Sequence, residues 1–148
     1  MTSAKRYIGT RELTGQNDGK EVEAFLASVN LQKGQAWCAA FVNFIYEMCQ
    51  VKTPKSGWVP TWFPANKLVY KAGKVIKRIP IKGDVFGIYF ASKKRLAHIG
   101  FIESWGEGKY ATCIEGNTNS QGSREGDGVY RKYRLKSQLH SVASYIHD

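Results

Sequence analysis

Residues 36 to 50 constrain the fold more than any other stretch. Their apolar positions form two adjoining stripes at helical spacing, Trp37, Phe41, Phe44 and Met48 beside Cys38, Val42, Ile45 and Cys49. Only Asn43, Glu47 and Gln50 are left to face water. A helix that is apolar around most of its girth must be surrounded, so the rest of the chain has to pack around this segment. Cys38 falls at its beginning. The first-turn amides of a helix lack intrahelical partners and the macrodipole is positive there, so both favour a thiolate over a thiol.

The flanking segments say what surrounds it. Asp18 reads as the N-cap of an earlier helix carrying Val22, Phe25, Leu26 and Val29, and Gly34 breaks the chain before the central helix. Pro54, Gly57, Pro60 and Pro64 impose a loop that carries Trp58, Trp62 and Phe63, and a short helix is predicted near Ala65 to Lys71, stopped by Gly73. Short β runs punctuated by glycine follow: Lys74–Ile79, Asp84–Phe90, Ala97–Ser104, Lys109–Glu115, Val129–Arg134 and Val142–Ile146. Helices first and strands later predict an α+β fold, with an antiparallel sheet of five or six strands packed on the Cys38 helix. At 148 residues the chain suits one domain.

Several function classes recede on composition. No apolar run approaches the roughly 20 residues of a membrane span. The start, Met1-Thr2-Ser3-Ala4-Lys5-Arg6, lacks the apolar core of a secretory signal, which implies a product made in the cytoplasm or a chain that begins after a removed segment. Of the three cysteines, Cys38, Cys49 and Cys113, at least one must be free. Cys38 and Cys49 would lie roughly 16 Å apart along one helix, beyond the roughly 7 Å reach of a disulfide. With no CxxC and three histidines there is little from which to build a zinc site. The net charge of +10 comes from one stretch, Lys52 to Arg95, which holds 11 Lys and Arg against the single acid Asp84. That stretch is either a basic face for an anionic polymer or a solvated surface. No RNA-binding signature, helix-turn-helix pattern or zinc spacing accompanies it, so nucleic acid is not the expected partner.

A thiol nucleophile needs a base within hydrogen-bond reach, and the base needs a third group to orient it. His140 and His147 sit in the tail, whereas His98 lies between apolar neighbours in Leu96-Ala97-His98-Ile99-Gly100-Phe101. The turn Trp105-Gly106-Glu107-Gly108-Lys109 supplies a hairpin partner. With Glu107-Gly108 as the loop, His98 faces Asn117 and Gly100 faces Glu115; with Gly106-Glu107, His98 faces Glu115 directly. Either register brings a carboxylate or an amide to the imidazole, because opposite and diagonal neighbours both lie within side-chain reach.

Four short motifs in this order, Trp37-Cys38-Ala39-Ala40-Phe41-Val42, Gly83-Asp84-Val85, His98-Ile99-Gly100 and Glu115-Gly116-Asn117, resemble the CHAP family. These are papain-like cysteine, histidine-dependent amidohydrolases/peptidases that hydrolyse peptidoglycan. The resemblance spans roughly residues 18 to 134. It implies a papain-like fold with Cys38 as nucleophile, His98 as base, Glu115 as the group orienting His98 and Asn117 as a nearby polar support. It gives Gly83-Asp84 a structural part at a strand entry. Peptidoglycan is the implied partner, acted on in the cell wall after lysis or specialised secretion, and an injected effector would imply a cognate immunity protein. Some members carry an acidic calcium loop, but Gly15-Gln16-Asn17-Asp18-Gly19-Lys20 has one carboxylate and a lysine, so no metal or other cofactor is expected.

Further expectations concern the cleft. Gln35 is a candidate oxyanion donor beside the Cys38 amide. Trp37 is a candidate wall of the cleft or a core residue, Trp62 lines a groove or covers the helix, and Asn17 faces the cleft or caps the first helix. A different thiol acyltransferase, a protein-directed cysteine protease and a non-catalytic binder of an anionic polymer are the alternative readings.

Overall fold

The computed structural model describes residues 1–118 and 126–146. His147 and Asn119 lie outside them. Among the described residues three α-helices, α1 (Thr2–Lys5), α2 (Lys20–Ala27) and α3 (Cys38–Met48), precede seven strands: β1 (Leu68–Lys71), β2 (Lys74–Val75), β3 (Val85–Phe90), β4 (Arg95–Ser104), β5 (Tyr110–Thr118), β6 (Gly128–Leu135) and β7 (Ser141–Ala143). The strands form one sheet in the order β2-β1-β7-β3-β4-β5-β6, antiparallel at every step. The architecture is therefore α+β, with one strand more than the sequence predicts. The extra one is β1: the segment predicted as a short helix is a 3-10 turn, Ala65–Lys67, followed by a strand that pairs with β7. Its β-branched and aromatic residues, Val69 and Tyr70, gain more by burial against Phe86 and Val142 than four residues gain from a helical turn.

Helix α3 is the hub. Its flanks bury Phe41, Val42, Ile45 and Tyr46 against α2 on one side and against Val85, Ile99, Phe101 and Ile114 of the sheet on the other. Phe25 of α2 stacks on Trp37 at 5.6 Å and meets Phe41 edge-on at 5.2 Å. Asn43, predicted to face water, is buried. Its amide donates to the carbonyl and hydroxyl oxygens of Ser28 and accepts from Thr53 at 2.6 Å, which ties α2 and the following loop to the hub. The last turn is the wet one, with Met48 and Cys49 exposed. On α2 the N-cap is Gly19, not Asp18. Glu23 reaches back to accept the Gly19 amide at 3.0 Å, while Asp18 is occupied by the backbone and hydroxyl of Thr14. The opposite face of the sheet has its own apolar cluster, with Ile102, Ala111, Cys113, Leu139 and Val142.

The β4–β5 hairpin pairs Phe101 with Ile114 and Ile102 with Cys113, the first of the two registers considered above. It arrives there differently. The strands stop at Ser104 and resume at Tyr110, so the loop exceeds two residues, and an irregularity between Ile102 and Ser104 absorbs the difference. The sequence shows turn residues but not bulges.

The excess of positive charge in residues 52 to 95 is partly spent inside the molecule. Arg78 forms a forked pair with buried Asp84, which also accepts the Ile81 amide, so Asp84 fixes the entry to β3. Lys55 pairs with Glu47, Lys77 donates to the Asn66 carbonyl and Lys67 lies over the Tyr145 ring. Among the described residues no helix is long and apolar enough to cross a membrane.

Candidate active site

Cys38 is the first residue of α3, and no side chain caps the helix in front of it. Sulfur at that position meets unpaired first-turn amides. The Ala39 and Ile99 amides favour its charged form, at the point where α3 begins against the middle of β4. The thiol is nearly buried, yet it opens on a cavity of about 400 Å³ lined in part by Gln35, Trp58, Val59 and Arg95.

His98 comes from β4. Side chains alternate along the strand, so Ile99 and Phe101 pack toward α3 while His98, Gly100 and Ile102 point to the other face. Glu115 on β5 shares that face and lies one step along from His98, a diagonal neighbour. Its Oε1 is 2.8 Å from His98 Nε2, and both residues are buried. Gly100 makes the diagonal possible. A Cβ there would lie 2.8 Å from Glu115 Cγ and 2.7 Å from Phe86 Cζ. Gly116 is needed for a different reason: a Cβ would meet Phe41 and Trp37 at 2.8 Å, so β5 could not approach α3. Alanine at Gly100 is expected to push the carboxylate off the imidazole and cut kcat/KM about 10- to 100-fold, a loss that steady-state kinetics beside a thermal melt would separate from unfolding.

Glu115 does not stand alone. Arg134 on β6 leans along the ladder and donates from Nε to Oε2 at 2.5 Å and from Nη2 to Oε1 at 2.6 Å. Nothing in the sequence separates Arg134 from Arg131, which faces solvent and pairs with Glu103. The strand alternation puts Arg134 on the His98 face, but only the pairing of β6 with β5 shows what lies there.

The electrostatics follow from these contacts. Burial would raise the Glu115 pKa, but the Arg134 fork, followed by the His98 contact, outweighs it and holds the carboxyl down at about 2. Burial opposes a charge on His98 too, but its interactions with Cys38 and Glu115 prevail and raise it to about 9. Burial likewise opposes a thiolate, and His98 together with the Ile99 and Ala39 amides lowers Cys38 in spite of it. Both shifts favour the thiolate–imidazolium form of the pair. Nε2 is committed to Glu115, and Nδ1 has no full hydrogen bond among the described residues, so Nδ1 is the ring atom open to proton transfer.

The other sequence candidates separate clearly. Asn117 is buried beside the site but makes no hydrogen bond to His98. It adopts a left-handed φ of 54° where the β5–β6 register shifts between Glu115 and Thr118, a backbone duty that asparagine tolerates. Gln35 is exposed and lines the Cys38 cavity. Trp37 is not a cleft wall: it is fully buried, its Nε1 donating to Glu12 at 2.7 Å. Trp62 lines no groove. It is buried, stacked on Tyr46, with Nε1 donating to the Ser56 carbonyl at 2.9 Å. Asn17 neither faces the cleft nor caps α2. It exchanges hydrogen bonds with Gly34 and so fastens the segment that leads into Cys38. The aromatic residue in the cleft is Trp58, which the sequence places in the same loop without distinguishing it from Trp62. Among the described residues no cluster of three metal-ligating side chains occurs.

No protein-family profile and no curated protein matches the chain. Among solved structures, the chain is similar to one described as Ly7917 with the hydrolyzing product of MDP, with a TM-score of 0.47 and 15% identity. The likeness covers 97% of this chain and 60% of that one, so the chain spans about three fifths of that neighbour's length.

Proposed function

We propose that the protein is a papain-like thiol amidohydrolase acting on peptidoglycan, with Cys38 as nucleophile and His98 as its acid and base. One observation supports the reading: a buried imidazole contacts a carboxylate through Nε2 while it interacts with the thiol at the start of α3. Cys38 thiolate attacks an amide carbonyl in the peptide part of the polymer. The His98 imidazolium gives its proton to the departing amine, leaving a thioester on Cys38. Water then loses a proton to His98 and attacks the thioester, releasing a carboxylic acid and regenerating the thiolate–imidazolium pair. Negative charge on the carbonyl oxygen meets the free Cys38 amide, with Gln35 as a side-chain donor from the same cavity. Glu115 keeps His98 in one orientation and favours its charged form, and Arg134 is the positioning residue behind Glu115.

The choice of peptidoglycan over protein rests on the four motifs that resemble CHAP enzymes. Digesting purified peptidoglycan and a denatured protein side by side, with mass spectrometry of the products, tests it. Soluble muropeptides with new amine and carboxyl ends are expected. Cleavage of the protein alone would move the assignment to a protein-directed protease.

The ion pair also fixes the pH dependence. The rate should rise on the acid side as Cys38 ionises against His98, level off, and fall as pH passes through about 9, where His98 loses the proton the leaving amine requires. A kcat/KM profile measured from pH 4 to 11 checks this. A rate still climbing above pH 9 would instead indicate a neutral pair that ionises only in the reaction.

A further inference from the structure

The cavity that opens on Cys38 contains one charged side chain, and it is not engaged as the other buried or half-buried arginines are. Arg78 and Arg134 each fork onto a carboxylate. Arg95 has no carboxylate partner among the described residues. Its guanidinium carbon lies over the Trp58 ring, 4.0 Å from the centroid, and Nη1 donates to the Leu96 carbonyl at 3.0 Å. Stacking uses the face of a guanidinium and leaves its edge donors free, and a single backbone contact leaves several of them.

The platform under Arg95 is built without it. Trp58 is 53% exposed, yet its loop is pinned: the Ser56 hydroxyl accepts the Trp58 amide at 3.0 Å, and the Ser56 carbonyl accepts Trp62 Nε1 at 2.9 Å. Gly57 sits so close to Leu31 that a Cβ would lie 2.6 Å from its Cδ1. An arginine is therefore not required to hold this loop, and an exposed tryptophan is not required by the core. Their joint effect is a cation fixed in position beside the nucleophile, with the apolar Leu31 and Val59 around it. Arg95 precedes His98 by three residues on β4, roughly 10 Å along an extended strand. That is the length of about three extended substrate residues.

We propose that Arg95, held over Trp58, forms an anion subsite of the Cys38 cleft that selects substrates carrying a free carboxylate within about three residues of the scissile amide. The subsite deepens the amidohydrolase reading and rests on it for its role in turnover, but binding of the carboxylate can be measured apart from chemistry. A preorganised guanidinium loses little freedom when it takes a carboxylate, and a carboxamide in place of the carboxylate forfeits the charge-assisted bonds.

The test uses the stem tetrapeptide L-Ala-γ-D-Glu-L-Lys-D-Ala, with the glutamyl α-carboxylate either free or converted to its carboxamide. In calorimetry on the Cys38→Ala protein, the free acid is expected to bind about 10- to 100-fold more tightly than the amide. That preference should fall to near one in Cys38→Ala/Arg95→Gln, survive in part in Cys38→Ala/Arg95→Lys, and shrink in Cys38→Ala/Trp58→Ala, with thermal melts confirming that each variant is folded. On the Cys38 protein the same preference should appear in kcat/KM. Equal affinities for the two peptides, including no measurable affinity for either, overturn the subsite. A carboxylate preference that depends on Arg95 in a protein that cuts neither peptide nor peptidoglycan upholds the subsite and counts against the hydrolase reading.

Discussion

Cys38→Ala is expected to reduce hydrolysis by at least about 10⁴-fold, because removing the proposed nucleophile leaves only binding and the proposed oxyanion donors. The fold should survive. Alanine is a strong helix former at the first position of α3, and the sulfur contributes little volume to a core organised by Phe25, Trp37 and Phe41. The variant has a second signature in His98. The imidazole is raised to about 9 by Cys38 and Glu115 together, so without the thiolate its pKa should drop while staying above that of the same residue without Glu115. The sign in stability follows. A folded-state pKa above the unfolded value of 6.5 stabilises the protein fully below pH 6.5, and that contribution is lost as pH rises through about 9. Stability–pH curves of the two proteins should therefore differ through the His98 titration chiefly between pH 6.5 and 9. Imidazole NMR titration with kcat/KM on peptidoglycan checks both parts.

Arg134→Met should be the most destabilising change that leaves every reacting atom in place. It strands a fully buried Glu115 with His98 as its remaining partner. Removing one member of a buried ion pair costs about 3–5 kcal/mol, which urea denaturation would read directly. The carboxyl, now held at about 2, should move upward. Its lowered pKa stabilises the protein at pH values above the ordinary 4.5, a contribution lost as pH falls toward 2, so the variant should lose this acid-side part of the stability curve. A less firmly held Glu115 should also lower kcat about 10- to 100-fold and shift the alkaline limb of the pH profile downward, since His98 loses support for its charge. Arg134→Lys restores the charge without the fork and should recover part of each effect. A variant with unchanged stability and an unchanged pH profile would remove Arg134 from the positioning chain.

How much of this was legible in the chain differs from residue to residue. The hub helix and the strand bearing His98 are written in local periodicity, because each buries a continuous apolar face. The diagonal from His98 to Glu115 could be reached by counting across a hairpin, although the loop is longer than assumed and a bulge compensates. Strand β1 was hidden because its pairing with β2 spans only two residue pairs and its other partner, β7, lies about 70 residues away. Trp58 and Trp62 look alike in sequence. Burial divides them, and burial depends on Tyr46 and Tyr145 arriving from distant segments. Arg134 and Arg95 are missed for the same reason: an arginine on a strand declares its role only when the facing carboxylate or aromatic ring is known.

The most direct test of the central claim is to mix the protein with purified peptidoglycan, quench with acid on the millisecond-to-second scale, and measure the intact protein mass. The account predicts a transient adduct with the mass of a peptidoglycan acyl fragment, mapped by proteolysis to Cys38, sensitive to hydroxylamine and absent from the Cys38→Ala protein. Release of muropeptides by the Cys38→Ala protein at the wild-type rate, with no adduct on either, would contradict it.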